Sequence, residues 1–286
     1  MIGKICLVTG ATSGIGKATA CALGWMGATV ILVGRNETKG HQTAEEIRVR
    51  TGNKTIDLMI ADLSSQRQIY ALAEQFNSRY QRLDVLINNA GAMFPQRRES
   101  TDGIEMTLAV NHLGPFLLTN LLLEKLVAAG EARIINVNSD AHEKGRIDFS
   151  DLQMRRHYPR GIGMRAYANA KLANLLTNYA MGERLRRSGV TVNALHPGYV
   201  ATNILPFDQA SGPVCLLKLL WLVAKRVIRP AEKGAGTAIF LASSPRVAKV
   251  SGMYFEGSVP VASSIASRDR ALQKRMWDVT TELTAT

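Results

Sequence analysis

Short, nearly continuous apolar runs alternate along the chain with longer segments in which apolar residues recur at helical spacing. The apolar runs predict seven strands, in the stretches "KICLVTG", "ATVILVGR", "TIDLMIADL", "LDVLINNAG", "ARIINVNS", "VTVNALHPG" and "GMYFEG". Because apolar residues occupy consecutive positions instead of alternating with polar ones, we expect both faces of the sheet to be covered.

Helices are predicted in the segments between these strands. They span Gly14–Met26, 37–51, the stretch "SSQRQIYALAEQFNSRY", a long segment after Thr101, residues near 164–187 and a segment after Pro230. Gly27 and Gly52 follow the first two helices, as expected of helix ends. Regular alternation of strand and helix is typical of an α/β fold with a parallel, doubly wound sheet, whose ligands bind at the carboxyl ends of the strands.

The whole chain, residues 1–286, is predicted to form one domain, because no repeat, low-complexity tract or linker-like stretch interrupts the alternation. Two segments, about 140–163 and about 203–229, do not fit into the sheet. Both follow strand carboxyl ends, so we expect them to form the walls of a substrate site.

Composition narrows the class of protein. Hydrophobic residues make up 46% and charged residues 20% of the chain, as in an ordinary globular domain. No apolar stretch reaches the roughly 18 residues of a spanning helix, and the first residues lack the pattern of a signal peptide. The cysteines, Cys6, Cys21 and Cys215, are far apart and lack metal-ligand spacing. We therefore expect a reduced, cytoplasmic protein.

The chain is basic, with a formal net charge of +12 and an isoelectric point near 9.9. Such an excess suits nucleic acid, an anionic membrane surface or an anionic cofactor. The Lys and Arg residues form only short runs without interleaved aromatic residues, so we expect no nucleic-acid partner. His112, His142 and His196 lack the spacing of metal ligands, and no metal is predicted.

Three glycines, Gly10, Gly14 and Gly16, lie between the first strand and the first helix. Glycine is costly in ordered backbone, so such a cluster marks unusual φ values or a close approach to another group. A glycine-rich turn without a ligand is one interpretation, and a loop whose amides bind phosphate at a helix N-terminus is the other. The strand before and the helix after favour phosphate binding in a Rossmann-type sheet of about seven strands, with helices on both faces.

The glycines follow the spacing GxxxGxG, and further motifs occur in order along the chain. These are "ADL" (61–63), "NNAG" (88–91), "VNHLG" (110–114), "NVNS" (136–139), "YANAK" (167–171) and "HPGYVAT" (196–202). With them the chain resembles the short-chain dehydrogenase/reductase family over almost its whole length. One such motif is common by chance, whereas the ordered set is specific.

The resemblance implies a catalytic group of Asn111, Ser139, Tyr167 and Lys171. Tyr167 and Lys171 are four residues apart, hence neighbours on one face of a helix. An adjacent ammonium and an oxidised nicotinamide are expected to lower the pKa of the phenol, ordinarily about 10, so that Tyr167 exchanges a proton with the substrate oxygen. Ser139 would bind the same oxygen, Lys171 the ribose hydroxyls, and Asn111 a water that connects Lys171 to solvent. Each residue alone fits an ordinary structural role; their joint occurrence with the cofactor motifs favours catalysis.

The implied cofactor is NADP(H). NAD-binding relatives of this fold place an acidic residue after the second strand, where this chain has Gly34 and then Arg35. An arginine suits a 2′-phosphate, and Lys17 adds positive charge nearby, although a solvated loop arginine is the alternative. The resemblance assigns cofactor contacts to Gly10, Thr12, Ser13, Gly14, Ile15, Gly16, Arg35, Asn36, Asp62, Leu63, Asn89, Ala90, Gly91, Tyr167, Lys171, Pro197, Gly198, Val200 and Thr202.

Within the family, "DAHEKGRIDFSDLQ", "AYANAKLANLL" and the C-terminal "SRDRALQKRMWDVTTELT" resemble the retinol dehydrogenase and protochlorophyllide-reductase-like branch. Two features depart from it. The N-terminal anchor of membrane retinol dehydrogenases is not seen, and Asn138 stands where serine is usual. The resemblance implies an NADP(H)-dependent oxidoreductase acting on an apolar carbonyl or alcohol, such as a ketone, an aldehyde, or a retinoid-, steroid- or polyketide-like compound. The alternative is a non-catalytic NADP(H)-binding regulatory protein, against which the complete catalytic group argues.

The segment "PVCLLKLLWLVAKRVIR" (213–229) predicts a basic amphipathic helix whose apolar face includes Leu220 and Trp221. Three interpretations stay open for it. It closes over the substrate as a lid, packs on the core or on a second copy in a homo-oligomer, or lies on an anionic membrane surface.

Overall fold

The computed structural model describes residues 1–156, 158, 163–200 and 230–285. The predictions for Thr202, for the segment 203–229 with Leu220 and Trp221, and for part of 140–163 therefore lie outside the described residues. In the described part, one sheet contains eight strands: β1 (Ile5–Thr9), β2 (Thr29–Gly34), β3 (Ile56–Ile60), β4 (Val85–Asn88), β5 (Ala132–Val137), β6 (Val190–His196), β7 (Met253–Glu256) and β8 (Val259–Val261).

The strand order is β3-β2-β1-β4-β5-β6-β7-β8, and every pair is parallel except β7 with β8. This confirms the predicted parallel, doubly wound sheet. The prediction of about seven strands missed β8, a short and exposed edge strand that contains Pro260. Proline cannot donate to a sheet ladder, so a run that includes it is a weak strand signal.

The helices are α1 (Gly14–Trp25), α2 (Glu37–Thr51), α3 (Gln66–Arg79), α4 (Met106–Leu108), α5 (Gly114–Leu121), α6 (Leu123–Ala128), α7 (Met164–Arg184), α8 (Ala231–Ser243) and α9 (Arg270–Thr284). Between α4 and α5, residues Ala109–Leu113 form a turn of π-helix, so the long helix predicted after Thr101 is broken into pieces. A 3-10 helix, Asp140–Lys144, follows β5.

Both faces of the sheet are buried, as the continuous apolar strands predict. Cys6 and Leu7 are neighbours on β1 and are both fully buried, but they belong to different hydrophobic clusters. Because successive strand residues point to opposite faces, each cluster lies on one side of the sheet. The two hydrophobic clusters hold the strands in place from both faces, and with them the strand ends at which the candidate site lies.

The C-terminal helix α9 closes one side of the molecule. The Trp277 ring lies edge-on to Phe116 of α5, with ring centres 4.9 Å apart, and beneath the guanidinium of Arg184, 4.0 Å from the ring centre. The buried Thr280 Oγ1 lies 2.8 Å from Nε2 of His112 in the π-helical turn. In the described part of the chain, no helix has the length and apolar character needed to cross a membrane.

Candidate active site

The glycine loop between β1 and α1 is held by Asn89, which follows β4. Asn89 Nδ2 donates to Thr9 O at 2.8 Å and to Gly10 O at 3.3 Å. Gly10 has a φ of 64°, and a Cβ on Gly16 would lie 2.4 Å from Asn89 Nδ2, so no other residue fits either position without movement. The loop therefore places backbone without side chains at the N-terminus of α1, where the backbone amide groups would bind a phosphate.

An arginine lies at the corner after β2. Arg35 is exposed and makes no ion pair with a described residue. Lys17 is less available than the sequence suggests, because its Nζ lies 2.5 Å from the Glu46 carboxylate. The Asn36 side chain caps α2 by accepting from Lys39 N at 2.8 Å, which leaves Arg35 as the candidate for anion binding at this corner.

Two predicted cofactor contacts, Asp62 and Leu63, have structural roles of their own. Asp62 Oδ1 accepts from the backbone and the hydroxyl of Ser64, at 2.9 and 2.8 Å. The Leu63 side chain is buried in the core, and its carbonyl oxygen lies against Gly114 at the start of α5. Any contact from Leu63 to a cofactor would thus come from its backbone.

Tyr167 and Lys171 lie side by side on α7, as their spacing predicts. Lys171 Nζ is 5.4 Å from the centre of the Tyr167 ring and donates to Val137 O at 2.9 Å. Burial lowers the pKa of Lys171 to about 8. Burial raises the pKa of Tyr167, with Ser139 opposing this through a hydrogen bond and the Asp140 charge adding to it. Desolvation therefore dominates the Tyr167 pKa in the chain by itself, and the lowering expected from the ammonium together with an oxidised nicotinamide stays a prediction.

Ser139 begins the 3-10 helix, and its hydroxyl is engaged by that helix. Its Oγ donates to Asp140 Oδ1 at 2.9 Å and accepts from Ala141 N at 3.2 Å. Asp140 Oδ2 in turn accepts from the Tyr199 hydroxyl at 2.6 Å. Burial opposes ionisation of Asp140, but the hydrogen bonds from Tyr199 and Ser139 outweigh it and hold the pKa below its ordinary value. The single proton of Ser139 is thus directed to a carboxylate.

Sequence reasoning assigned no role to Asp140 or Tyr199. The available signal was an acidic residue directly after the predicted catalytic serine at a strand end. Tyr199 is 59 positions away and is paired with Asp140 only by the fold.

The histidines near the site are structural hydrogen-bonding groups. His142 Nε2 accepts from Ser264 N at 3.1 Å, so its Nδ1 carries the proton and donates to Ser139 O at 2.7 Å. His196 Nδ1 accepts from Asp140 N at 3.3 Å. Both rings hold the backbone around Ser139.

Asn111 lies in the π-helical turn, a feature that is frequent at functional sites. Its Nδ2 donates to Ala92 O at 2.6 Å and Thr107 O at 2.8 Å, whereas its buried Oδ1 has no partner in the described part. A Cβ on Gly91 would lie 2.9 Å from that oxygen and 3.7 Å from Lys171 Nζ. The unpartnered acceptor and the lysine ammonium therefore both border the space beside Gly91.

The loop after β6 completes the site. Gly198 has a φ of 78°, and Val200 lies with Ile15 against Gly234 of α8. The structure thus brings the loops after β1, β4, β5 and β6 to the same sheet edge as Tyr167 and Lys171.

Known proteins resemble this chain in sequence. The family described as short chain dehydrogenase matches residues 4–151. Retinol dehydrogenase 12 of Homo sapiens is 40% identical over 281 residues, covering 98% of this chain and 86% of the relative. Retinol dehydrogenase 13 of Homo sapiens is 39% identical over 277 residues, with 96% and 82% covered.

Solved structures share the fold. An uncharacterized protein from Mycobacterium paratuberculosis superposes with a TM-score of 0.78 at 31% identity, covering 99% of this chain and 94% of the other. A short chain dehydrogenase from Escherichia coli CFT073, complexed with NADPH, gives 0.69 at 24% identity, with 89% and 96% covered. The predicted resemblance to the family and to its retinol dehydrogenase-like branch is confirmed by these matches.

Proposed function

The chain belongs to the short-chain dehydrogenase family, in its retinol dehydrogenase-like branch, and from this premise we propose that it is an NADP(H)-dependent oxidoreductase. It would interconvert an apolar carbonyl compound and the corresponding alcohol. The observation that carries this proposal is the convergence of Ser139, Tyr167 and Lys171. Lys171 Nζ lies 5.4 Å from the Tyr167 ring, and Ser139 is close enough to Tyr167 to lower the pKa of its phenol against the effect of burial.

The residues of the glycine loop and of the first turn of α1 fit the phosphate groups of a dinucleotide. Gly10 and Gly16 form a cradle that a Cβ would fill, and the first turn of α1 carries no acidic residue. Arg35 is exposed and has no ion-pair partner among the described residues, which supports NADP(H) over NAD(H), because a guanidinium binds a 2′-phosphate through charge-assisted hydrogen bonds. When bound, the nicotinamide supplies or accepts the hydride.

Tyr167 would move the proton that accompanies the hydride. In carbonyl reduction its hydroxyl gives a proton to the substrate oxygen, and in alcohol oxidation its phenolate takes one. Ser139 would steady the same oxygen. Because the Ser139 proton is directed to Asp140 at 2.9 Å, binding a carbonyl requires that proton to turn from the carboxylate to the substrate.

Lys171 would return the proton to Tyr167. Its pKa of about 8 allows the amine to gain and lose a proton near neutral pH. The unpartnered Asn111 Oδ1 supports the inference that a water sits beside Gly91 and connects Lys171 to solvent. Lys171 would also bind the ribose hydroxyls.

Apolar residues directly after the Asn89–Gly91 loop support an apolar substrate. Met93 and Phe94 follow the Asn89–Gly91 loop, are buried, and lie against Gly163 at the start of α7. The name of the relatives, retinol dehydrogenase, also favours an apolar alcohol or its aldehyde. Retinoid-like, steroid-like and polyketide-like compounds are the classes to test first.

The test is NADPH consumption with a panel of apolar aldehydes and ketones, using Tyr167→Phe as the control. We expect turnover in the wild type and its loss in the variant. NADPH binding without turnover across the panel would instead support the alternative, a non-catalytic NADP(H)-binding regulatory protein.

We also propose a cytoplasmic location for the protein, in keeping with the reduced state expected of its cysteines. The thiols of Cys6 and Cys21 are free, and burial raises the pKa of Cys6 to about 12, which keeps that thiol protonated. Contact with anionic membranes and self-association stay predictions, because the segment 213–229 lies outside the described residues.

A further inference from the structure

Asn138 is the residue that departs from the serine usual in this branch. It follows β5 directly, is 2% exposed, and lies between Val137 and the predicted catalytic Ser139. A buried amide needs partners for both its donor and its acceptor, so its contacts indicate what it does.

Both ends of the Asn138 amide bind the backbone of a predicted catalytic residue. Its Nδ2 donates to Lys171 O at 3.0 Å, and its Oδ1 accepts from Ser139 N at 2.8 Å. A serine at this position would carry its hydroxyl one bond closer to the backbone, too short to reach Lys171 O from the same strand position. The contact to α7 is therefore specific to asparagine.

We propose that Asn138 is a positioning residue that holds Ser139 and Lys171 at a fixed separation by binding the backbone of both. Its effect on catalysis rests on the proposed function, whereas its effect on Lys171 does not. Val137 O accepts from Lys171 Nζ at 2.9 Å, so adjacent residues 137 and 138 bind the two ends of Lys171.

Loss of the Asn138 contact would release this turn of α7 from β5 and admit water to the ammonium. Lys171 faces Tyr167 on its own helix and the uncharged Asn111 in the π-helical turn, while Asp140 acts on Tyr167. Burial is what lowers the Lys171 pKa, so hydration would raise it toward its ordinary value of 10.5.

Asn136 provides a matched control. It lies two residues earlier on β5, is 7% exposed, and its Nδ2 donates to Asn178 of the same helix at 2.8 Å. Replacing it removes a buried amide, its side-chain contact to α7 and the bond that its Oδ1 accepts from Asn88 Nδ2 at 2.9 Å, but no contact to Ser139 or Lys171.

The experiment measures the Lys171 pKa by NMR titration of protein labelled at the lysine Cε, with the signal assigned by its loss in Lys171→Met. We expect a midpoint near 8 in the wild type and in Asn136→Ala. It should rise by about one unit or more in Asn138→Ala and in Asn138→Ser, the second variant retaining a polar residue if the first fails to fold. An unchanged midpoint in the Asn138 variants, or an equal rise in Asn136→Ala, would overturn the proposal.

Kinetics separate this proposal from the proposed function. In Asn138→Ala, kcat should fall by roughly tenfold to a hundredfold with NADPH affinity nearly unchanged, as expected when reacting groups are misplaced. Asn136→Ala should keep kcat within about twofold. If the wild type reduces no carbonyl at all, the proposed function fails, and the NMR result still decides the role of Asn138. If kcat instead falls equally in Asn138→Ala and Asn136→Ala, the positioning role of Asn138 is wrong and the proposed function stands.

Discussion

The Lys171 ammonium nitrogen lies 5.4 Å from the centre of the Tyr167 ring, one helical turn away, and both side chains are buried. Burial makes each group resist its charged form: the phenol pKa is raised and the amine pKa is lowered to about 8. The two pKa values therefore move apart, whereas those of free tyrosine and lysine, 10.0 and 10.5, are nearly equal. This order favours transfer of a proton from the Lys171 ammonium to a Tyr167 phenolate, the direction needed to return the proton.

Tyr167→Phe should remove most turnover while leaving NADPH affinity near the wild-type value. The change deletes the proton-transfer group, worth about 10²–10⁴-fold in rate, and keeps the buried ring. Steady-state kinetics and a fluorescence titration with NADPH check the two parts. Full activity in the variant would contradict the assignment of Tyr167.

Lys171→Met should change how stability depends on pH. The Lys171 pKa is lower in the folded chain, about 8, than its ordinary 10.5, so the unfolded chain binds more protons between these values. Wild-type stability should accordingly rise by about 3 kcal/mol relative to the variant from pH 8 to 10.5. Urea unfolding at both pH values measures the difference, and parallel changes in the two proteins would contradict the prediction.

The same variant also tests the two roles proposed for Lys171. Turnover should fall because the proton return to Tyr167 is lost, and NADPH affinity should fall because the ribose contact is lost. If only one of these parameters moves, the dual role is wrong.

The sequence predicts the sheet well because the relevant signals are local. A residue that closely follows an apolar strand, such as Ser139 or a glycine of the first loop, is located at the carboxyl edge of the sheet by that strand alone. The pairing of Tyr167 with Lys171 also follows from spacing alone. These predictions need no knowledge of tertiary contacts.

The remaining features depend on tertiary contacts that spacing does not reveal. The raised pKa of Tyr167 follows from burial by elements distant in sequence, which the spacing to Lys171 does not reveal. Asp140 acquires its partner Tyr199 only when β6 lies beside β5. Asn138 reaches Lys171 only when α7 packs on the end of β5. In each case the interacting residues are far apart in the sequence.

Arg35→Ala should lower kcat/KM with NADPH by about tenfold to a hundredfold and change it little with NADH, because a charge-assisted bond to the 2′-phosphate is lost. Lys17→Ala is the matched control and should have a weaker effect, since Lys17 is already paired with Glu46. A wild type that prefers NADH would refute the interpretation.

Introducing an aspartate at position 34 is a poorer test of the same idea. A Cβ on Gly34 would lie 2.6 Å from Thr12 Cγ2, so Gly34→Asp would displace Thr12 in the glycine loop as well as add charge. Loss of activity in that variant would not distinguish the two effects, which is why Arg35 is changed alone.

His112→Gln should make the protein more resistant to acid. His112 is fully buried beside Asn111, its Nε2 lies 2.8 Å from Thr280 Oγ1 of α9, and burial lowers its pKa from 6.5 to about 3. Between these values the unfolded chain binds the additional proton, so wild-type stability falls as the pH drops from 6.5, by up to about 5 kcal/mol.

The glutamine side chain keeps an N–H that can reach Thr280, and it does not titrate. The variant should therefore lack the loss of stability that protonation of His112 causes on acidification, whatever its stability at neutral pH. Urea unfolding at pH 7 and pH 4.5 measures the loss in each protein. His41→Gln is the control, because His41 is exposed on α2 with 68% of its side chain accessible, and its removal should leave the acid loss as in the wild type. If His112→Gln loses as much stability on acidification as the His41 control, protonation of His112 does not drive acid unfolding. Protonation of other groups would then be the cause of acid unfolding, including loss of the contact between α9 and the turn that carries Asn111.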